Sequence, residues 1–422
     1  MVLAAAALLC SLTGSGEAAS ARTTFPGWVV AQAADEVEIA LDANGVDALR
    51  AHGRVVLEAL PWGAGIDLEL ERCPGSARPG ALFVDGRPAG RRAGERATFW
   101  SGRVAGEPRS DVFLAFAGGA LWGWVQREGE LVHFLPGPDA AGSWLRGTTR
   151  LVGARALHRQ GWRFDPRCVA LEPSADAPRT LADEAAGPLL PYLLFGTLAV
   201  ETDWQFYQLF GDLAVAEGYV LSLLAAANVR FRTQVGVHLE VSYLGFHTSA
   251  DDPWRTHDGG GNCIDALYEF QAAWGGGAAP VPSDLHHMLS GADLGCGAGF
   301  IDALCDPQRG FSITSRIDGR TPFPVAPGPL NWDFVWMCHE LGHNFGSVHT
   351  HQYCPPLDEC SPPGYWGDCQ DEMACITNGT MMSYCHACPG GMANFTTWFH
   401  PVVAGVMRAA SQASCFGAFL RR

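Results

Sequence analysis

His339 and His343 lie four residues apart with Glu340 between them, and Gly346 and His349 follow. On a helix, positions four apart project from one face one turn apart, so two imidazoles can grip a single zinc ion. A carboxylate beside that pair is out of place in a closed structural site and suits a base that takes a proton from a metal-activated water. Gly346 stands where such a helix must stop, because a residue without a Cβ can enter the left-handed conformation that turns the chain sharply away. His349 can then return as the third ligand, with His351, two residues on, as its rival. The whole pattern arises by chance in roughly one chain in ten thousand of this length. It is therefore read as a zinc centre with an open coordination position.

Such a site needs a helix held on a scaffold. Residues 333–344 supply one, with Asn331 or Asp333 as N-cap and Phe334, Val335, Met337 and Leu341 for the core. Upstream, residues 192–203 read as a strand and 235–244 as another. Between them, 204–227 reads as one helix, with Phe206, Leu209, Phe210, Leu213, Val220, Leu223 and Leu224 at helical spacing. A helix over 262–274 and further strands follow, and a last helix runs over 401–412. The β-α-β order predicts a mixed α/β sheet with helices packed against it. His286 and His287 invite a metal reading, but adjacent strand residues point to opposite faces, so both are read as structural.

From about residue 188 onward the chain resembles the metzincin zinc metallopeptidases. Two motifs carry the resemblance: H-E-x-x-H-x-x-G-x-x-H over 339–349, and Gly-Thr-Met-Met-Ser-Tyr-Cys over 379–385, which is similar to the family's Met-turn. The wording around them is most similar to the reprolysin, or adamalysin-like, branch that includes ADAM-type peptidases. The resemblance implies a metzincin-type zincin catalytic domain of α/β (α+β) class, with a mixed twisted sheet and an active-site helix. It implies that Met382, with Met381 as the alternative, lies beneath the three histidines. It also places Gly297, Ala298, Gly299 and Phe300 on the edge strand where substrate is laid antiparallel, and pairs Cys305 with Cys415. Small residues on that strand are read as letting a substrate backbone approach an unpaired edge. Tyr384, two residues past the Met-turn methionine, is either a core or S1′-wall tyrosine or a phenol supporting the zinc or the oxyanion. The implied activity is hydrolysis of peptide bonds in protein or peptide substrates, with one catalytic zinc on His339, His343 and His349 and Glu340 as general base.

The first half is of another character. Between residues 37 and 135, short alternating runs such as 37–41 and 111–116 predict a small all-β domain. Ser101-Gly102-Arg103-Val104, Pro108-Arg109-Ser110 and Leu121-Trp122-Gly123 are similar in order to the propeptides of reprolysin-like peptidases. The expected organisation is a signal peptide over 1–21, a β-rich propeptide-like domain over 22–172, a linker over 173–187 and the peptidase domain over 188–422. The linker, rich in Ala, Asp, Pro and Glu, offers a place for maturation cleavage near Arg179, and residues 136–150 read as loop. Cys168, just before the linker, is either a switch thiolate for the open zinc position or the disulfide partner of Cys73.

Of fourteen cysteines, Cys10, Cys73 and Cys168 precede Cys263 and the other eleven run from Cys263 to Cys415, which suits a disulfide-stapled, secreted protein. Cys354, Cys360, Cys369 and Cys375 are expected to pair among themselves or with Cys385 and Cys388, and Cys338 is a candidate free thiol. Every basic residue is arginine and the net charge is −16, which argues against a nucleic-acid partner. No uninterrupted apolar run reaches the ~18 residues of a membrane span, so no anchor is expected. Calcium suits a secreted protein of this kind, but no ligand cluster has EF-hand spacing. Nothing in the sequence specifies an oligomeric state. The competing reading is a secreted binding or adhesion protein whose β domain works and whose peptidase domain is silent.

Overall fold

Alternating apolar residues close the first half of the chain into a barrel. The computed structural model describes residues 21–73, 80–95, 97–117, 119–128, 130–136, 148–153, 167–171, 179–180, 189–319 and 332–418. The first twelve strands are β1 (Ala21–Thr24), β2 (Gly27–Ala33), β3 (Glu36–Leu41), β4 (Arg54–Leu60), β5 (Ile66–Arg72), β6 (Ala81–Val84), β7 (Arg87–Arg92), β8 (Thr98–Val104), β9 (Asp111–Ala117), β10 (Ala120–Arg127), β11 (Glu130–Leu135) and β12 (Thr148–Gly153). Ten of them form one sheet in the order β1-β4-β5-β8-β9-β10-β11-β12-β3-β2. β1 and β2 are consecutive in the chain yet stand at the two ends of that order, so one bent segment closes the sheet on itself. Inward residues such as Ile39, Leu57, Leu68 and Leu114 are fully buried, and helix α1 (Ala43–Arg50) adds Leu49. Residues 148–150, the end of the stretch read as loop from sequence, instead open the strand β12, which completes the barrel between β11 and β3.

The hairpin β6–β7 leaves the barrel and joins a second sheet. The later strands are β13 (Arg167–Leu171), β14 (Arg179–Thr180), β15 (Leu194–Thr202), β16 (Val237–Phe246), β17 (Leu285–Leu289), β18 (Cys296–Phe300), β19 (Phe311–Thr314), β20 (Tyr353–Cys354) and β21 (Gly417–Ala418). The second sheet runs β13-β18-β19-β17-β15-β16-β6-β7, with β21 against the start of β15. β15 is parallel to β16 and β17, and β17 to β19, while β18 runs antiparallel to β19. This is the mixed α/β sheet expected of the second half, with one addition. Strands from the first half extend it at both edges, so the two halves share a sheet.

Helices α2 (Trp204–Phe210), α3 (Leu213–Arg230), α4 (Arg255–Asp258), α5 (Cys263–Trp274), α6 (Trp332–Asn344) and α7 (Pro401–Ala413) pack around this sheet. The single helix predicted over 204–227 is two. Gly211 closes α2 in the left-handed conformation, and the Asp212 carboxylate caps α3 by accepting from the Ala214 and Val215 amides. The apolar spacing runs across so short a break, which is why periodicity alone misses it. α3 carries apolar residues on every face, with Glu217, Asn228 and Arg230 set among them, and the stretch Leu213–Val235 is long and apolar enough to cross a membrane by length and composition, yet most of it is buried inside this protein.

Described disulfides join Cys263 to Cys296, Cys305 to Cys415, Cys354 to Cys369, Cys360 to Cys385 and Cys375 to Cys388. Cys338 is free and buried in α6, and Cys73 is bonded to a partner outside the described side chains. The sulfur of Cys168, residues 1–20 of the expected signal peptide, and 173–178 and 181–187 of the expected linker also lie outside the description. Arg179, expected in an open linker, is instead in the strand β14, paired parallel with β20.

Candidate zinc centre

Every residue of α6 is buried. Asn331, one of the two expected N-caps, lies outside the described residues, and Asp333 lies inside the first turn and does not cap it. The Asp333 carboxyl accepts from the Asp318 and Gly319 amides, 3.1 Å each, and from the Tyr219 hydroxyl of α3. Burial, reinforced by the Asp318 charge, pushes it up to about 8. At the other end of α6 the Asn344 amide donates to the carbonyls of Phe300 (2.9 Å) and Phe311 (3.0 Å), fastening the helix to β18 and β19. The Asp302 and Ala303 amides donate to the carbonyls of His343 and Asn344, satisfying the helix end from the loop after β18.

Gly346, at φ +89°, then turns the chain. The turn carries the Ser347 carbonyl back to within 2.8 Å of His343 Nδ1, which donates to it. His339 Nδ1 donates to the Met381 carbonyl at 2.5 Å, and His349 Nδ1 to Gln352 Oε1 at 2.9 Å. Each imidazole thus has its Nδ1 proton engaged, which fixes the tautomer and leaves Nε2 as a lone-pair donor. Ligand atoms of the three rings lie within 4.8 Å of one another. Burial holds His339 and His349 well below the usual histidine range, with the His343 charge as the next cause, and burial lowers His343 to about 4. Three neutral, converging imidazoles with held second nitrogens fit a zinc ion.

Glu340, fully buried, stands next to His339 on the same helix. The strand β18 reaches it through glycine. A Cβ built on Gly297 would overlap the Glu340 carboxylate, and one on Gly299 would meet the Glu340 carbonyl at 2.8 Å. From sequence these small residues are read as making room for a substrate; in the structure they make room for α6. Gly297 and Gly299, two apart, share the face toward the helix, while Ala298 and Phe300 join the core on the opposite face with Cys263 of α5. Gly297→Ala is expected to push the carboxylate aside and lower kcat about 10- to 100-fold with metal content unchanged, since ~1 Å misplacement can cost that much. Steady-state kinetics beside zinc analysis checks it; an unchanged kcat would show that the contact is slack.

Met382 lies against α6 between the first two histidines, where a Cβ on Gly342 would stand 2.6 Å from its sulfur. Met381 is equally buried and supplies the carbonyl for His339. Tyr384 packs its ring 4.6 Å from that of His349 and 4.8 Å from that of His351. His351 stacks on His349 at 5.2 Å and stands outside the three-histidine group. His286 Nδ1 faces the Gly310 carbonyl and His287 Nδ1 the Ser312 hydroxyl, in separate buried places. Sequence reasoning misses Gln352, whose side-chain oxygen accepts from both the amide and the Nδ1 of His349. Its spacing, three residues after a turn-opening residue, is a capping-box signal that could have found it.

Residues 218–350 match the Metallo-peptidase family M12B Reprolysin-like profile. Among curated proteins the chain is similar to "A disintegrin and metalloproteinase with thrombospondin motifs 4" of Mus musculus, 25% identical over 380 residues that cover 79% of this chain and 42% of the relative. The Bos taurus protein of that name is 25% identical over 370 residues (78% and 41%), and the Homo sapiens protein 25% over 360 (76% and 40%). The chain therefore spans about two fifths of the length of these relatives. A solved structure titled "Structure of a chaperone-substrate complex" aligns with 52% of this chain and 35% of its own, at a TM-score of 0.33 and 13% identity, too little likeness to carry an argument.

Proposed function

We propose that this chain, whose residues 218–350 match the reprolysin-like M12B metallopeptidase profile, is a zinc-dependent endopeptidase made in a latent form. The observation that carries the reading is the convergence of three neutral imidazoles, each held at Nδ1, beside Glu340 on one buried helix. Bound there, zinc supplies Lewis acidity toward the scissile carbonyl and an acidified water. Glu340 accepts the proton of the attacking water and returns it to the leaving amine. β18 offers its backbone to an extended peptide, so recognition rests on main-chain hydrogen bonds. The density of disulfides in the second half supports an exported protein.

Latency follows from what lies on β18. β13 pairs with it in parallel, Cys168 opposite Gly297 and Leu171 opposite Phe300, and so takes the backbone groups a substrate needs. It runs opposite to the sense in which the family lays its substrate. β14 then pairs with β20, just after His349, so the segment is fastened at two places around the candidate centre. Both ladders are short. Their hold depends on the high effective concentration of a segment tethered at both ends.

The test uses the full chain with a site-specific protease sequence inserted between residues 181 and 187, assayed on internally quenched extended peptides. Cutting is expected to raise turnover about tenfold or more, as the tether is lost. A chelator should abolish that turnover and zinc restore it. If the cut, zinc-loaded protein hydrolyses no extended peptide, the endopeptidase reading fails. If the uncut protein is equally active, latency fails.

A further inference from the structure

We propose that the N-terminal half is not shed at maturation: once the linker is cut, the barrel stays bound as a second subunit that covers α3 and extends the catalytic sheet, so the mature protein is a two-chain enzyme. The inference rests on the linker being cut, and is independent of what the zinc centre does.

The first ground is α3. A helix with apolar residues on every face must be covered on every face. One side meets the catalytic half, where Tyr219 holds Asp333 at the start of α6. The opposite side meets the barrel strands β9 and β10. Gly218 lies so close to them that a Cβ would stand 2.8 Å from the Trp122 ring and 2.9 Å from the Ala117 Cβ. Phe113, Ala115, Ala117, Trp122 and Trp124 of the barrel belong to the same hydrophobic core as α3 and α6. Removing the barrel would bare one face of a helix about 27 Å long. An apolar patch of that extent is rare on a lone soluble chain.

The polar contacts across this boundary are equally specific. Glu217 of α3, 6% exposed, receives both Arg91 nitrogens (3.0 and 2.5 Å) and the Gly94 amide (2.9 Å), all from the first half. Asp85 accepts from the Thr248 amide (2.7 Å) and hydroxyl (2.8 Å). At the far end of α3, the buried Arg230 exerts its charge on Asp111 of β9, which the Trp124 indole N–H also holds at 2.7 Å. β6 continues the catalytic sheet in parallel, Ala81 opposite Tyr243 and Val84 opposite Phe246.

All these contacts come from residues before 128, well upstream of the linker. Cutting the linker leaves them in place. β13 differs, because its described contact is a five-residue ladder and one of its two tethers is the segment that is cut. The barrel should stay and the arm should yield.

The experiment again uses the full chain with the inserted protease site. After complete cutting, the two fragments are expected to co-elute in size-exclusion chromatography at the mass of the intact chain, at micromolar concentration, and to separate only in denaturant. Amide protection in α3 should be unchanged by cutting. Gly218→Leu, which wedges the boundary, is expected to make the cut fragments elute apart. If that variant does not fold, Arg91→Ala, at a residue whose side chain is 26% exposed, should still raise the concentration needed for co-elution about tenfold. Wild-type fragments that elute apart, with the C-terminal one soluble and α3 still protected, would overturn the proposal. Co-eluting fragments that hydrolyse no peptide would sustain it while removing the peptidase reading.

Discussion

Replacing Glu340 by Gln is expected to lower kcat/KM for an extended peptide by about 10²- to 10⁴-fold, the range for loss of a positioned general base, while zinc content stays unchanged. Gln matches Glu in shape, so the fully buried position suffers no volume change and the Gly297 face of β18 keeps its fit. What is lost is the capacity to hold a proton between the attacking water and the leaving amine. The histidines and their Nδ1 partners are untouched, so zinc should resist dialysis as in the parent protein. Kinetics and metal analysis on one preparation check both halves of the expectation. A variant that keeps its zinc and most of its activity would move the base elsewhere, with the nearby His351 the first group to test.

His343→Ala should fail in the other way. It removes one of three converging nitrogens, and the two left hold a divalent ion far more weakly. It also deprives the Ser347 carbonyl of its donor in a buried place, at a cost of about 1–3 kcal/mol. The expected result is loss of zinc to a chelator that the parent withstands, loss of peptide hydrolysis, and a lower Tm even before metal is considered. Metal analysis after chelator dialysis, with thermal unfolding, measures both effects. If His343→Ala retained zinc while His351→Ala lost it, the ligand set would have to be redrawn around His351.

The histidine pattern was legible because its geometry is local. His339 and His343 share a face through one helical turn, and Gly346 brings His349 back within a few residues, so spacing alone carries the arrangement. The β-α-β scaffold was legible for the same kind of reason, since apolar period distinguishes strand from helix without knowledge of neighbours. The break at Gly211 escaped because one glycine does not disturb that period. Cysteine count pointed to staples, yet the tie between Cys263 of α5 and Cys296 of β18 depends on where those elements meet.

Long-range contact decided the rest. Nothing local tells that Gly297 and Gly299 face Glu340 rather than a substrate, because a strand's two faces are equivalent until a helix packs on one. The carbonyls of Met381 and Ser347 that orient His339 and His343 are backbone groups that every residue type carries, so no side chain signals them. The apolarity of α3 was visible as composition, but which elements cover it is a tertiary fact: Trp122 and Ala117 on one side, α6 on the other. By itself the sequence determined the chemistry of the centre, through residues a turn apart. Only the tertiary structure decided that strands of both halves share the second sheet and residues of both share the core around α3, because hydrogen-bond ladders and apolar faces are completed by partners far away in the chain.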